Sequence, residues 1–377
     1  MRVPRVLFVN QTGVMSGAEY VLANLTVGWR EASALLLEGG PLEQVLREQR
    51  LKVSVASGAK LGAIRRDQSL FAALPLAARL LRLVGAIISA SRGHDVVYAN
   101  SQKAFLLSAL ASIAVRRPLV WHLHDIVDGR HFGRMQRRLQ IFLANSRASC
   151  VIVPSTAAAD AFTAAGGRSD LIRTVPNGIS LTPAPPLGRR AQGLPEGPLI
   201  GVFSRLAPWK GQHVVLEALT KVPHVQCILV GSALFGEDDY SVRLTGMVEQ
   251  LGLGDRVHFL GQRADVPALM QAVDAVIHPS VDPEPFGLTL LEAMLAGTPV
   301  IATDAGASAE ILDGGKAGTL VAANDATALA DSIRAFFADR QPFLDKVARA
   351  RDRVKAVYDI VTMRRTVSAI VAKVASP

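Results

Sequence analysis

A chain of 377 residues, 50% hydrophobic and 19% charged with mean hydropathy +0.28, has the length of two or three domains and is too apolar for disorder, collagen or coiled coil. Its two cysteines, Cys150 and Cys227, belong to no C-x-x-C or His/Cys cluster, which excludes a disulfide scaffold and structural zinc and leads us to expect a cytoplasmic protein. The net charge of +9 is uneven: residues 1–190 hold 24 Lys/Arg and 11 Asp/Glu, or +13, and the remainder carries −4, so an anionic partner is expected for the front half.

In chain order, Arg5 precedes the apolar run Val6–Val9, too short for a signal-peptide core and read as a buried strand that ends at Asn10. The apolar stretches Phe71–Ile88 and Phe105–Val115 are not membrane spans. Pro75, Arg79 and Arg82 interrupt the first, and the second falls well short of about 20 residues. Strands are predicted at Asp95–Asn100, Leu119–His124 and Cys150–Pro154, with Ala- and Leu-rich helical stretches between them, the pattern of a parallel sheet covered on both faces. Pro176 to Pro198 contains Pro183, Pro185, Pro186, Pro195, Gly188, Gly193 and Gly197 and has no periodicity. It divides the chain into a first domain over 1–180, a linker over 181–198 and a second domain over 199–350. Further strands are predicted at Leu199–Phe203, Gln226–Val230, Val257–Leu260, Ala275–His278, Pro299–Ala302 and Thr319–Val321. Residues 351–377 read as a helix, with Val354, Val357, Tyr358 and Val361 on one stripe, expected to cross back to the first domain. The expected fold is α/β: two doubly wound, Rossmann-like parallel sheets whose carboxyl ends face a shared cleft.

The segment Glu284-Pro-Phe-Gly-Leu-Thr-Leu-Leu-Glu292-Ala-Met-Leu-Ala-Gly297-Thr-Pro299 reads as turn, helix, cap and next strand. It leaves backbone N–H groups free at about Phe286, Gly287, Leu288 and Thr289, an anion site that the helix dipole strengthens. Glu284 ahead of the helix and Glu292 two turns along it can bind hydroxyls on two parts of one ligand that flank a diphosphate. Ser204-Arg205-Leu-Ala-Pro-Trp-Lys210-Gly211 follows a strand and sets Arg205 and Lys210 beside a turn, a pair suited to clamp a diphosphate.

These pieces, with Val175-Pro-Asn-Gly-Ile179, Leu229-Val-Gly-Ser232, Val257-His-Phe-Leu-Gly261, Pro279-Ser280 and Ala305-Gly306 with Glu310, resemble in order the retaining, nucleotide-sugar-dependent glycosyltransferases of family 4, the glycosyl transferases group 1 type with the GT-B fold. The resemblance implies that Glu284 contacts donor-sugar hydroxyls and that the amides at Phe286, Gly287 and Leu288 meet sugar and phosphate. Glu292 would grip the ribose. Arg205 and Lys210 would neutralise the diphosphate and the departing nucleotide, and Gly231, Gly261 and Arg263 would lie along the donor.

In the front half, Gly13-Val-Met-Ser16-Gly17-Ala-Glu19 resembles the family's first-strand loop, with Ser16 in place of the first glycine of its usual pair. Trp121-His122-Leu-His124-Asp125 resembles the motif whose histidine, here His124, contacts the donor sugar near the reacting carbon. Asn100 and Asp125, with Ser16 and Glu19, are placed on the acceptor side. No third ligand joins His122 and His124, so no metal is expected.

The function that follows is transfer of a sugar from a nucleotide diphosphate sugar, the co-substrate, to a hydroxyl of a glycan or lipid-linked acceptor with retention, in cell-surface polysaccharide or glycolipid synthesis. No other cofactor is implied. Arg65-Arg66, Arg79, Arg82, Arg116-Arg117 and the run Arg130 to Arg138 favour an anionic or lipid-borne acceptor and an anionic membrane surface as partner. The other readings are a nucleotide-sugar epimerase or hydrolase on the same fold, and a nucleotide-sugar- or nucleic-acid-binding protein. Aromatic residues are only 5% of the chain and are not interleaved with the basic clusters, which argues against nucleic acid.

Overall fold

Short apolar runs bounded by turn residues set the strands, and the helices between them carry the chain to the next parallel position. A computed structural model of the chain describes residues 3–56, 70–182, 185 and 187–376, with side chains omitted for 70–76. Arg65, Arg66, Pro183 and Pro186 lie outside the described residues, as does the side chain of Pro75.

The chain forms two compact units, residues 1–178 with 360–377 and residues 179–359. Unit 1 runs β1 Val6–Asn10, α1 Gly17–Thr26, β2 Ala32–Leu36, α2 Pro41–Glu48, β3 Lys52–Val55, α3 Leu70–Ser91, β4 Val96–Ala99, α4 Gln102–Val115, β5 Leu119–His122, α5 Arg134–Arg147, β6 Cys150–Val153, α6 Thr156–Ala164 and β7 Ile172–Thr174. Its seven strands are parallel in the order β3-β2-β1-β4-β5-β6-β7, so the winding reverses between β1 and β4. That reversal brings the ends of β1, β4 and β5 side by side, where a doubly wound sheet binds ligands. Leu7, Val9, Val97, Ala99, Leu119 and Trp121 pack against the α3 to α6 layer, with Trp121 stacked on Phe105 at 4.1 Å.

Unit 2 runs β8 Leu199–Phe203, α7 Gln212–Leu219, β9 Gln226–Val230, α8 Asp238–Gln250, β10 Val257–Gly261, α9 Val266–Ala272, β11 Ala275–His278, α10 Leu288–Ala296, β12 Val300–Thr303, α11 Ser308–Ile311, β13 Thr319–Val321, α12 Ala326–Ala338 and α13 Gln341–Val357. Six parallel strands lie in the order β10-β9-β8-β11-β12-β13, reversing between β8 and β11, with an apolar core on each face of the sheet. The last helix, α14 Ile360–Ala375, packs on α1 of unit 1, where Arg364 Nε donates to the Asn24 carbonyl at 2.6 Å.

Two expectations need revision. The described residues of the linker expected over 181–198 are not free but belong to unit 2, which starts at Ile179: Leu194 joins its core, and Arg189 donates to the Ala272 carbonyl and pairs with Asp274 at 2.8 Å. Residues 351–377 are not one helix. The chain breaks between α13 and α14, so Val354 and Tyr358 are buried in unit 2, while Val357 and Val361 are exposed and the single stripe does not exist.

Candidate active site

In unit 2, the site residues sit at the carboxyl ends of β8 and β11. The turn after β8 is pinned by Ser204 N to the Val230 carbonyl, by Leu206 N to the Ser232 carbonyl, and by the buried Gln212, whose Nε2 donates to Ser204 Oγ and to the Arg205 carbonyl, both at 2.9 Å. Gly231 is required here: its φ is +138°, and a Cβ would lie 2.0 Å from the Ser204 carbonyl oxygen. Its N–H donates to the carbonyl of Gly261 at 2.8 Å, tying the ends of β9 and β10 together.

Held in that turn, Trp209 sits beneath both predicted cations. Lys210 Nζ lies 4.0 Å from the ring centroid, and the Arg205 guanidinium is 5.7 Å from it and 5.1 Å from Phe235. Lys210 pairs with Glu284 at 2.5 Å, and Arg205 Nε with Glu237 at 3.1 Å. The structure therefore joins Arg205, Lys210 and Glu284 in one cluster and adds Glu237 to it. Burial pushes the Glu237 carboxyl up, against the pull of Arg205 and Lys210.

Glu284 itself is buried. Its Oε2 accepts from Ser280 Oγ at 3.0 Å and lies 3.3 Å from His278 Nε2; Thr289 Oγ1, on the first turn of α10, is 3.3 Å from His278 Nδ1. Burial raises the carboxyl, but Lys210 and His278 together hold it well below the usual carboxylate range. Its backbone is held by an isolated parallel bridge to Gly306, with Glu284 N bonded to the Ala305 carbonyl and Ala307 N to the Glu284 carbonyl. A Cβ on Gly306 would lie 2.3 Å from that Glu284 oxygen, so only glycine admits the bridge.

Gly287 caps α10 with φ +101°, and Leu290 N already donates to the Gly287 carbonyl at 3.0 Å, so the amides of Leu288 and Thr289 are the ones that point out of the helix start. Phe286 points inward and packs on Tyr358 at 5.8 Å, which leaves its amide as its only group suited to a ligand; Leu288 is half-buried. Glu292 is half-buried with no hydrogen bond among the described residues, and burial pushes its carboxyl up to about 7. It does not touch the Lys210–Glu284 cluster. Arg263 forms an ion pair with Asp265 at 2.6 Å at the start of α9.

In unit 1, the residues at the ends of β1, β4 and β5 form a polar chain that is buried in its middle, at Glu19, Asn10 and Asn100, and partly exposed at Ser16 and His124. Ser16 Oγ donates to Glu19 Oε2 at 2.5 Å, Asn10 Nδ2 to Glu19 Oε1 at 2.9 Å, Asn100 Nδ2 to Asn10 Oδ1 at 3.1 Å, and His124 Nε2 lies 3.0 Å from Asn100 Oδ1. Gly17 opens α1 beside Ser16, with open space where a side chain would be. Burial lowers His124 to about 3 and lowers His122 well below the usual imidazole value, so both rings are neutral at pH 7. His122 Nδ1 lies 2.8 Å from the Tyr98 hydroxyl, and its ring centroid is 4.0 Å from that of His124. Asp125 follows at the strand end, partly buried.

Sequence reasoning missed Asn10, Glu237 and His278. His278 ends a predicted strand immediately before Pro279-Ser280, and Asn10 ends β1. A polar residue closing an apolar strand, at the end where these sheets bind ligands, is the signal that could have found both.

The family model described as "Glycosyl transferases group 1" matches residues 188–355, and that described as "Glycosyl transferase 4-like domain" matches 16–178. A lipopolysaccharide core biosynthesis mannosyltransferase, LpcC of Rhizobium leguminosarum bv. viciae, is 32% identical over a stretch covering 68% of this chain and 78% of that protein. LpsB of Rhizobium meliloti, of the same description, is 31% identical over 56% of this chain and 65% of its own length, just under two thirds. A crystal structure of Anabaena Alr3699/HepE in complex with UDP and glucose is 37% identical over 98% of this chain and 99% of that one, with a TM-score of 0.88. On this likeness in sequence and in fold, the chain belongs to the glycosyl transferases group 1 family and has its two-domain GT-B architecture.

Proposed function

We propose that the protein transfers a sugar from a nucleotide diphosphate sugar to a hydroxyl of a glycan or lipid-linked acceptor, with retention of the anomeric configuration. The observation that carries this reading is the Arg205–Lys210–Glu284 cluster beside the open N-terminus of α10. Two cations and a row of amides oppose the charge that grows on a departing nucleoside diphosphate, while Glu284 accepts from hydroxyls of the sugar. Glu292, a carboxylate with no hydrogen-bond partner among the described residues, takes the ribose hydroxyls. No carboxylate is assigned as a nucleophile; the leaving phosphate helps to deprotonate the acceptor on the same face of the sugar. Alr3699/HepE was crystallised with UDP-glucose, which makes UDP-glucose the first donor to try, ahead of GDP- and ADP-sugars. Nucleoside diphosphate should be released and the product should keep the donor's anomeric configuration by proton NMR. An inverted product removes retention, and absence of release with every donor removes the transferase reading.

The acceptor is lipid-borne in this reading, on the strength of one helical layer. Helices α3, α4 and α5, with α4 packed between the other two, contain no Asp or Glu. They expose Leu81, Leu110 and Ile113, and on α5 the stripe Met135, Leu139 and Phe142, 83%, 50% and 67% exposed at i, i+4 and i+7. Arg82, Arg134 and Arg138 are exposed on α3 and α5, and Arg116 and Arg117 follow α4. Apolar anchors bordered by arginines fit an anionic leaflet, where each basic residue contributes about 1 kcal/mol. Among the described residues no helix is long and apolar enough to cross a membrane. The protein should co-sediment with phosphatidylglycerol vesicles at low salt and not with phosphatidylcholine. Leu139→Asp with Phe142→Asp should abolish the binding while donor turnover in detergent persists; a wild-type chain indifferent to anionic vesicles would refute the surface.

A further inference from the structure

Two backbone carbonyls in unit 1 determine which nitrogen of His124 carries its proton. The Thr12 carbonyl can only accept, so the Asn10 side-chain atom 2.7 Å from it is the amide nitrogen, which also reaches Glu19 at 2.9 Å. Asn10 Oδ1 is thereby left as an acceptor. The Ala18 carbonyl imposes the same orientation on Asn100, whose amide nitrogen donates to it and to Asn10 Oδ1, both at 3.1 Å. The Asn100 oxygen is what remains for His124, 3.0 Å from Nε2. That contact needs a proton on Nε2, which leaves the lone pair on Nδ1. Glu19, Asn10 and Asn100 are all buried, so water does not substitute for the links among these three. His122 is tied to Tyr98 through its own Nδ1 and does not compete for Asn100.

We propose that Asn100, oriented by Ala18 and Asn10, is a positioning residue that locks His124 as the Nε2–H imidazole and presents Nδ1 as an acceptor for a sugar hydroxyl. This rests on the reading of His124 as a sugar contact. It gives Ser16, Glu19 and Asn100 a role in support of that ring instead of direct contact with the acceptor. Because Ala18 stands in the first turn of α1, behind Ser16 and Gly17, a shift of the loop after β1 changes the ring's orientation as well.

The test is a long-range proton–nitrogen correlation spectrum of the ligand-free, full-length protein labelled at histidine nitrogen, with His124 assigned by its loss in His124→Gln. The wild type should show one tautomer, with a proton on Nε2 that exchanges slowly with water. Asn100→Asp keeps an oxygen facing Nε2 and should retain that proton signal; Asn100→Leu should lose it. Asn100→Leu should also lower kcat by up to about tenfold, the worth of one hydrogen bond, at unchanged donor KM. A proton on Nδ1 in the wild type, an Nε2 proton unaltered in Asn100→Leu, or wild-type kcat in that variant would overturn the proposal. The spectra need no turnover: a chain with the expected tautomer and no transfer with any sugar nucleotide would refute the proposed function alone.

Discussion

Lys210→Ala is expected to lower turnover by about two to three orders of magnitude and to destabilise unit 2 by roughly 3–5 kcal/mol. The catalytic loss follows from removing a cation set against the growing charge of the leaving diphosphate. The loss of stability has a separate origin: without Lys210, the Glu284 carboxylate is left buried with only Ser280 and His278 beside it. Adding Glu284→Gln should therefore restore much of the stability and none of the turnover, a coupling that denaturant melts of the two single variants and the double variant measure. Acid gives an independent check. The folded-state value of Glu284 is depressed, so its contribution is complete above the unfolded value near 4.5 and is lost as the pH falls toward the folded value. The stability gap between wild type and Lys210→Ala should then narrow below about pH 4.5. Wild-type turnover in Lys210→Ala would remove the diphosphate role, and a wild-type melt would remove the buried pair.

Glu292→Gln should have effects of opposite sign on folding and on binding. Burial raises this carboxyl to about 7 from 4.5, so the folded state binds the proton more tightly and ionisation costs it stability as the pH rises between those values. Glutamine removes that cost. The variant should match the wild type near pH 4.5 and exceed it by as much as about 3 kcal/mol at pH 8. In the proposed role, the carboxylate accepts from ribose hydroxyls, so the same change should weaken donor binding about tenfold to a hundredfold. Thermal melts across the pH range, with and without UDP-glucose, read both effects at once. A variant no more stable at pH 8 and equally able to bind the nucleotide would contradict the assignment.

The second half was the more legible. Strands β8, β9 and β11 begin and end where their apolar runs do, because a central parallel strand is buried on both faces and leaves an unbroken record in the sequence. The edge strands β3 and β7 escaped notice, since Lys52 and Ser54 alternate with valines over only four positions and β7, Ile-Arg-Thr, has a single apolar residue. Strand β2 also went unread, its Ala-Ser-Ala-Leu-Leu too short to separate from a helical stretch. The motif residues of the site were legible, but their partners were not. Glu237 meets Arg205 from the start of another helix, Lys210 meets Glu284 across 74 positions, and Asn10 meets Asn100 across 90. Local periodicity carries no information about such pairs; only the sheet order brings them together.

The return of α14 to unit 1 makes unit 2 a domain insertion, with its two ends joined where Ile179 N donates to the Tyr358 carbonyl at 2.9 Å and Ile179 bridges to Asp359. During synthesis, all of residues 179–359 must leave the ribosome before the helix that covers α1 is available, so the first unit to be started is the last to be completed. With its entry and exit side by side, the insert can be excised by joining Gly178 to Ile360 through a short Gly-Ser bridge, which should yield unit 1 as a folded protein of its own.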